Sequence, residues 1–449
     1  MFLRAQPVHF TGIGGIGMSG LAEILLCRGF AVSGSDLRLS PVTARLESLG
    51  ARIVAGHAAE NIGEARVLVV TSAASEENPE VREARRRSIP VVSRGELLAE
   101  VMRDKLGIAV AGSHGKTSTT SMIATMLIET GRDPTVLIGG RLPLMGSNAR
   151  AGASEYLVAE SDESDGSFLL LSPVFEVITN IDREHLDYYS GIEHLQRSFV
   201  EFANKVPFYG AVTACIDDAK VREILPQVRR RVITYGRCTG ADYVVSEEAC
   251  GHFGSEFSLS RAGRVRLHVP GAHNVLNAAA AVITGLELGL TARQAIDGVG
   301  AYTGVDRRFQ VRGEAGGVTV IDDYGHHPTE IAATLKAARA CGYRRIHMIF
   351  QPHRYTRTLA LMDEFAACFD DADSVFVLDV YAASEKPIEG VTGAALAARV
   401  RGAEYVGTME KAIAAAVSAA GAGDAILTQG AGSVSEAGEK ILAALRERR

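Results

Sequence analysis

The 449-residue chain lacks several features that would settle its class at a glance. Its six cysteines, at positions 27, 215, 238, 250, 341 and 368, form no C-x-x-C pair. That scatter argues against a disulfide framework or a zinc site and suits a reducing compartment. No stretch approaches about 18 consecutive apolar residues, so no membrane span is expected. The opening MFLRAQPVHF is too short and too polar for a secretory leader. These absences predict a cytoplasmic protein with no membrane partner. Basic blocks are missing too: 47 Lys and Arg stand against 53 Asp and Glu, a net charge of −6, and nucleic acid is not an expected partner. Neither a G-x-S-x-G elbow nor a Cys–His nucleophile pair can be read from the spacing. Phosphoryl chemistry, where positioning and charge neutralisation do most of the catalysis, is the better expectation.

What is present alternates. Short apolar runs such as VHFTGIG, FAVSGSD, VLVVTSA, GIAVAG, FEVITNID, VTVIDDYG and AILTQGAG are separated by helical patterns. This β–α rhythm predicts an α/β fold with mostly parallel sheets covered by helices on both faces. Length and pattern together predict three domains, 1–105, 106–304 and 305–449. The outer two read as Rossmann-like and the central one as a P-loop-type ATPase domain. Within the central block, GSEFSLSRAGRVRLHVPG reads as a hairpin.

The first glycine loop, FTGIGGIGMSGLAEIL, places G-x-G-x-x-G at Gly12, Gly14 and Gly17, between a strand and a helix. Such a loop admits a diphosphate against a helix N-terminus, and Asp36 stands near the spacing of a ribose-reading acid. The pattern alone does not separate NAD from a UDP-sugar.

The second loop, AVAGSHGKTSTT, is short of a glycine. The usual G-x-x-x-x-G-K-[ST] puts its first glycine where this chain has Val110; Gly112 serves instead, two residues later. The context remains strand, loop, helix. Gly115 allows close approach of phosphate oxygens, Lys116 reaches the β- and γ-phosphates, and the Thr117 hydroxyl suits Mg2+.

Acidic residues follow two later strands: Glu160, Asp162, Glu163 and Asp165, then Asp182, Glu184 and Asp187, with His185 among the latter. At strand ends they suit a metal shell, although His185 is unusual for Mg2+. The third block supplies Asp323, Tyr324, His326 and His327 after one strand, and His353, Arg354 and Arg357 after another. Two arginines three apart suit a carboxylate or phosphate. Arg307 and Arg308 sit at the junction before this block.

Taken together and in order, GIGGIGMSGLAEIL, GSHGKTSTT, AESDESDGSF, NIDREHLDYY, GAHNVLNAAAA, GVDRRFQ, DDYGHHPTEI, QPHRYTRT and DVYAASEKPIEG resemble the Mur ligases over nearly the whole chain. The short G-x-x-G-K-T loop is normal in that family. The closest resemblance is to the branch that joins L-alanine to the lactyl carboxylate of UDP-N-acetylmuramate through an acyl phosphate, using ATP. A sister branch, which attaches a recycled tripeptide, is the runner-up; an NAD-dependent dehydrogenase leaves the second loop unexplained. The resemblance implies that Gly14, Gly15, Ile16 and Gly17 bind the UDP diphosphate, with Asp36 and Ser72 on the uridine side. It implies that Gly112, Ser113, His114, Gly115, Lys116, Thr117 and Ser118 bind ATP, with Asn274 and Asn277 near the adenine. Arg307, Asp323 and His326 would complete that site. Two Mg2+ ions are expected, with Thr117, Glu160 and His185 as ligands. Tyr324, His353, Arg354 and Arg357 would surround L-alanine and the acyl phosphate. Monomer and homodimer are both compatible with the sequence.

Overall fold

The computed structural model describes residues 6–71, 74–185, 188–252 and 254–448. Ser72 and Asp187, both singled out above, lie outside them. The chain divides into two compact units: Met1–Ser246 with Ser258–Val265 and Leu276–Tyr302, and Glu247–Phe257 with Arg266–Val275 and Thr303–Arg449.

The first sheet has five parallel strands in the order Arg52–Ala55, Val32–Asp36, Val8–Thr11, Val67–Val70, Val91–Ser93. Val8, Phe10, Leu68 and Val69 are wholly buried, as strands covered on both faces require. The second sheet has ten strands. Its parallel core runs Val232–Gly236, Ala211–Cys215, Phe175–Ile178, Leu106–Ala111, Tyr156–Glu160, Thr135–Leu142. Ser147–Arg150 closes one edge antiparallel, and the strands Tyr243–Gly251, Gly254–Leu259 and Gly263–Leu267 extend the other. The expected hairpin forms at Gly254–Leu259 and Gly263–Leu267.

Within the first unit one apolar core serves both sheets. Phe10, Leu21 and Ile24 from the first share it with Leu137, Ala149, Phe168 and Phe199 from the second. Gly20 makes this possible. A Cβ there would run into Leu137 and come within 3.1 Å of the Ala149 Cβ, so its absence lets helix Ile16–Cys27 lie directly on the edge of the second sheet.

The second unit holds a six-stranded sheet ordered Gln310–Ala315, Val318–Asp323, Ala425–Gln429, Ile346–Phe350, Ser374–Leu378, Ala403–Gly407. All neighbours are parallel except the first pair. Ile331, Leu335, Phe350 and Phe365 pack on one face; Val320, Ile413, Ile426 and Ile441 pack on the other. The α/β class expected from the alternating pattern is what the chain adopts. No helix among the described residues is long and apolar enough to cross a membrane.

Candidate active site

In parallel α/β sheets, residues just past the carboxyl ends of the strands face the ligand crevice. The candidate residues of the first unit collect at such ends in both sheets.

Gly12, at φ +78°, turns the chain out of strand Val8–Thr11. Gly15 then caps helix Ile16–Cys27 without any side-chain hydrogen bond. The N–H groups of Ile16 and Gly17 therefore open the helix with no intrahelical acceptor. The Gly14 N–H is committed elsewhere: it donates to Asp36 Oδ2 at 2.9 Å. Asp36 thus braces the loop in addition to any ribose contact. Beneath the loop, Glu80 is fully buried and accepts from Thr11 Oγ1 at 2.6 Å, Ser35 Oγ at 2.7 Å and Asn61 Nδ2 at 2.7 Å. Burial pushes this carboxyl up, but His9 and these three donors outweigh it and hold the pKa at about 2. Nothing in the spacing of the sequence marks Glu80 as part of this site.

The second glycine loop joins strand Leu106–Ala111 to helix Lys116–Glu129, with Gly112 at φ +130° and Gly115 at φ +83°. A Cβ on Gly115 would stand 2.6 Å from Asn277 Oδ1, so Asn277 lies against the loop itself. The His114 N–H donates to Asn180 Oδ1 at 2.8 Å, and the His114 ring lies 3.0 Å from Asp182. The Ser113 hydroxyl accepts from Asp182 N at 2.7 Å. Ser118 is buried in the first turn of the helix.

Lys116 Nζ folds back onto the loop, donating to Gly112 O at 2.6 Å, Ser113 O at 3.1 Å and Glu163 Oε1 at 2.8 Å. Burial works against its charge. The carboxylates of Glu163, Asp162 and Glu160 win, holding its pKa above the ordinary lysine value. Burial pushes Glu163 up to about 7 against the pull of Lys116, with the Asp162 charge adding to the rise.

Thr117 Oγ1 donates to Glu160, 3.0 Å from either carboxylate oxygen, and Glu160 Oε2 also accepts from Gly139 N at 2.8 Å. This hydroxyl–carboxylate pair is an oxygen donor set of the kind Mg2+ takes. A second donor set joins Glu163, Glu184 and His185, whose ligand atoms lie within 4.8 Å of one another. Glu163 Oε2 is buried and has no hydrogen-bond partner among the described residues, so this set also suits a cation. His185 sits at φ +56°, a strained conformation for a non-glycine residue. The sequence puts four acids within positions 160–165. Which of them faces the loop is decided only by the fold: Glu163 does, whereas Asp165 accepts from Ser167 N at 3.0 Å.

In the second unit, Asp323 ends one strand beside Gln429, which ends its neighbour. Its carboxylate accepts from Phe309 N at 2.8 Å, Gly325 N at 2.7 Å and Gln429 Nε2 at 3.2 Å. Those three bonds make it a brace for the Tyr324–His326 turn rather than an outward-facing ligand group. Arg307 donates to Asp322 at 3.2 Å and to Gly430 O at 2.6 Å, and lies over the Tyr324 ring at 4.9 Å. Asn274 Nδ2 donates to Pro270 O at 2.8 Å.

His326, His353 and Tyr381 form a row of rings. His326 and His353 are 5.5 Å apart, and His353 stacks on Tyr381 at 5.6 Å. Arg357 Nη1 donates to His353 Nδ1 at 3.2 Å; since an arginine can only donate, Nδ1 accepts and Nε2 carries the proton. Burial, then the positive surroundings of His326, Arg357 and Arg354, push His353 down to about 3. A neutral imidazole whose protonated form is that acidic is a weak base at neutral pH, so His353 serves better as an orienting acceptor for Arg357. Arg354, at φ +71°, donates Nε to Glu385 Oε1 at 2.6 Å. Glu385 also accepts from Thr356 Oγ1 at 2.6 Å and Thr356 N at 3.0 Å. Tyr381 and Glu385 both lie in DVYAASEKPIEG, a motif whose individual residues the sequence did not single out.

Three family models match in succession: "Mur ligase family, catalytic domain" over residues 7–106, "Mur ligase middle domain" over 110–285 and "Mur ligase, glutamate ligase domain" over 307–432. The chain belongs to the Mur ligase family. It is 60% identical to the UDP-N-acetylmuramate–L-alanine ligase of Solibacter usitatus, covering 99% of this chain and 97% of that one. The enzyme of the same name from Acidobacterium capsulatum is 56% identical over 100% and 99%. Among solved structures, the UDP-N-acetylmuramate–alanine ligase of Thermotoga maritima superimposes with a TM-score of 0.83 at 27% identity, covering 99% of this chain and all of that one. A murein peptide ligase from Psychrobacter arcticus shares the fold at a TM-score of 0.72 and 23% identity.

Proposed function

We propose that this chain is an ATP-dependent ligase that joins L-alanine to the lactyl carboxylate of UDP-N-acetylmuramate, a step of peptidoglycan precursor synthesis. The observation that carries the reading is full-length identity of 60% and 56% to ligases so named. The Lys116–Glu163 and Thr117–Glu160 pairs supply matching chemistry. The tripeptide-adding branch is less well supported, because the full-length relatives at these identities carry L-alanine in their names.

The reaction starts from a poor electrophile. A carboxylate oxygen of the sugar attacks the γ-phosphorus of ATP, and ADP leaves. The alanine amine then attacks the acyl phosphate carbon; phosphate departs as the tetrahedral adduct collapses to the amide. Like charges meet in the first step, so the chain must neutralise them. Lys116, held charged by its carboxylate neighbours, reaches the β- and γ-phosphates. Thr117 and Glu160 would hold one Mg2+, and Glu163, Glu184 and His185 a second; bound there, such ions supply charge neutralisation to phosphate and carboxylate oxygens. Gly15, Ile16 and Gly17 receive the UDP diphosphate while Asp36 braces Gly14, and the loop Gly112–Ser118 receives ATP. Asn277 adjoins that loop. Roles toward ATP for Asn274, Arg307, Asp323 and His326 rest on their motifs, with Asp323 acting through the turn it braces.

Arg354 and Arg357 bind the carboxylate of L-alanine, beside Tyr324 and His353. The amine must lose its proton, and His353 is too weak a base to take it at neutral pH. We read residues 1–105, 106–304 and 305–449 as the three functional domains, and the reaction as cytoplasmic. The test is ADP release with UDP-N-acetylmuramate, ATP and each amino acid in turn. L-alanine should dominate; a preference for tripeptide, or release without the sugar, contradicts the reading.

A further inference from the structure

Strand Val91–Ser93 ends the first sheet, and helix Arg94–Met102 starts immediately after it. A capping box fixes that start: Glu96 N donates to Ser93 Oγ at 3.1 Å, and Ser93 N donates to Glu96 Oε2 at 2.6 Å. The next residue, Gly95, packs against the acidic loop of the second sheet, since a Cβ there would lie 2.7 Å from the Ser167 Cβ. Arg94 is therefore held where the strand ends of the two sheets adjoin.

Its side chain lies across the first glycine loop. A Cβ on Gly17 would be 2.7 Å from Arg94 Cδ and 3.4 Å from both Nε and Nη1. The opposite nitrogen, Nη2, reaches Asp162 Oδ2 at 3.4 Å, and Asp162 is the only polar partner recorded for Arg94 among the described residues. Nε and Nη1 therefore face the start of helix Ile16–Cys27 with unused donors.

That arrangement is electrostatically unfavourable on its own. A helix N-terminus carries roughly half a positive charge, and a guanidinium beside it is repelled. An anion between the two removes the repulsion and satisfies both donor sets. We propose that Arg94 binds the diphosphate of the UDP-sugar, donating from Nε and Nη1 to phosphate oxygens that also accept from the N–H groups of Ile16 and Gly17. This rests on the reading of the first loop as the UDP-sugar site. Arg94 keeps Asp162 on its other edge, and the Asp162 charge in turn helps hold Lys116 charged. One guanidinium thus stands between the diphosphate and the acids of the second loop.

The test is calorimetric binding of UDP-N-acetylmuramate, UDP, UMP and ATP to the full chain, to Arg94→Gln and to Arg94→Lys. A charge-assisted hydrogen bond predicts a loss of about 10- to 100-fold for UDP-N-acetylmuramate and UDP in Arg94→Gln. UMP, with one phosphate fewer, should lose less than UDP, and ATP should shift by less than about twofold. Arg94→Lys, with charge but no fork, should fall between. Should Arg94→Gln melt below the assay temperature, Arg94→Lys carries the same comparison. Unchanged UDP affinity, or an equal loss for UMP, overturns the assignment. If the unaltered chain bound no uridine nucleotide at all, the reading of the first loop would itself fall, a result distinct from one confined to the variants.

Discussion

Lys116 Nζ and Glu163 Oε1 are 2.8 Å apart, and the same carboxylate oxygen lies 3.6 Å from His185 Nε2. One buried acid therefore ties the phosphate-loop lysine to the histidine of a separate strand end. Lys116→Ala should lower kcat by about 1,000-fold or more, the scale of losing a positioned charge at a developing anion. UDP-N-acetylmuramate binding should change by less than about twofold, because the Lys116 ammonium, among the described residues, hydrogen-bonds only to Gly112, Ser113 and Glu163 and to nothing in the first glycine loop. Stopped-assay turnover and calorimetry check the two halves separately; loss of UDP-sugar affinity contradicts the separation of roles.

Gly115 is held at φ +83° with Asn277 Oδ1 pressed against it. Gly115→Ala adds a left-handed backbone cost of about 1–2 kcal/mol to that overlap. The expected outcome is a drop of about tenfold or more in kcat/KM for ATP, with affinity for the UDP-sugar preserved. A variant with normal ATP kinetics shows that the loop tolerates a Cβ and that Asn277 yields.

Much of this fold is legible in the sequence because buried parallel strands are written as short β-branched runs and the loops between them as glycine motifs. The exceptions are instructive. Ser147–Arg150 has no strand-forming composition; it is a strand because Leu137 and Val136 pair with Ala149 and Arg150. Tyr243–Gly251 carries Ser246, Glu247 and Glu248, and Gln310–Ala315 is an antiparallel edge with a register shift after Val311. Beyond the short YVV that opens the first, neither shows an apolar run. In the site, motif spacing located Lys116 and Thr117 and brought Arg354 and Arg357 into view. It did not separate Asp323 as a brace from Arg357 as a donor, because both read simply as polar residues after a strand. Arg94 and Glu80 escaped for the same reason: their chemistry depends on neighbours 68 to 77 positions away or across a sheet.

The Glu80 network makes stability pH-dependent in a defined window. Its folded pKa is about 2 against an ordinary 4.5. The unfolded chain therefore binds more protons between those values, and the stabilisation is whole above about pH 4.5 and is lost as pH falls toward 2. Glu80→Gln should lower stability at neutral pH by about 2 kcal/mol and flatten the difference between variant and parent below pH 4.5. Urea midpoints across pH 3–7 check it; a constant difference at every pH contradicts the role of the charge.

Glu385 holds Arg354 by a 2.6 Å hydrogen bond and Thr356 by two more. Removing a group that orients a binding residue costs about 10-fold or more. Glu385→Ala should raise KM for L-alanine by that factor while KM for ATP stays near its original value. An effect on ATP alone assigns Arg354 to the nucleotide instead.

The acyl phosphate is the centre of the account, and oxygen tracing reads it directly. UDP-N-acetylmuramate labelled with oxygen-18 in its lactyl carboxylate is turned over with ATP and L-alanine, and the liberated phosphate is weighed by mass spectrometry. One labelled oxygen per phosphate is predicted, because the carboxylate oxygen that attacks the γ-phosphorus leaves with it. Unlabelled phosphate, formed at the same rate as the amide, contradicts activation of the sugar's acid by phosphorylation.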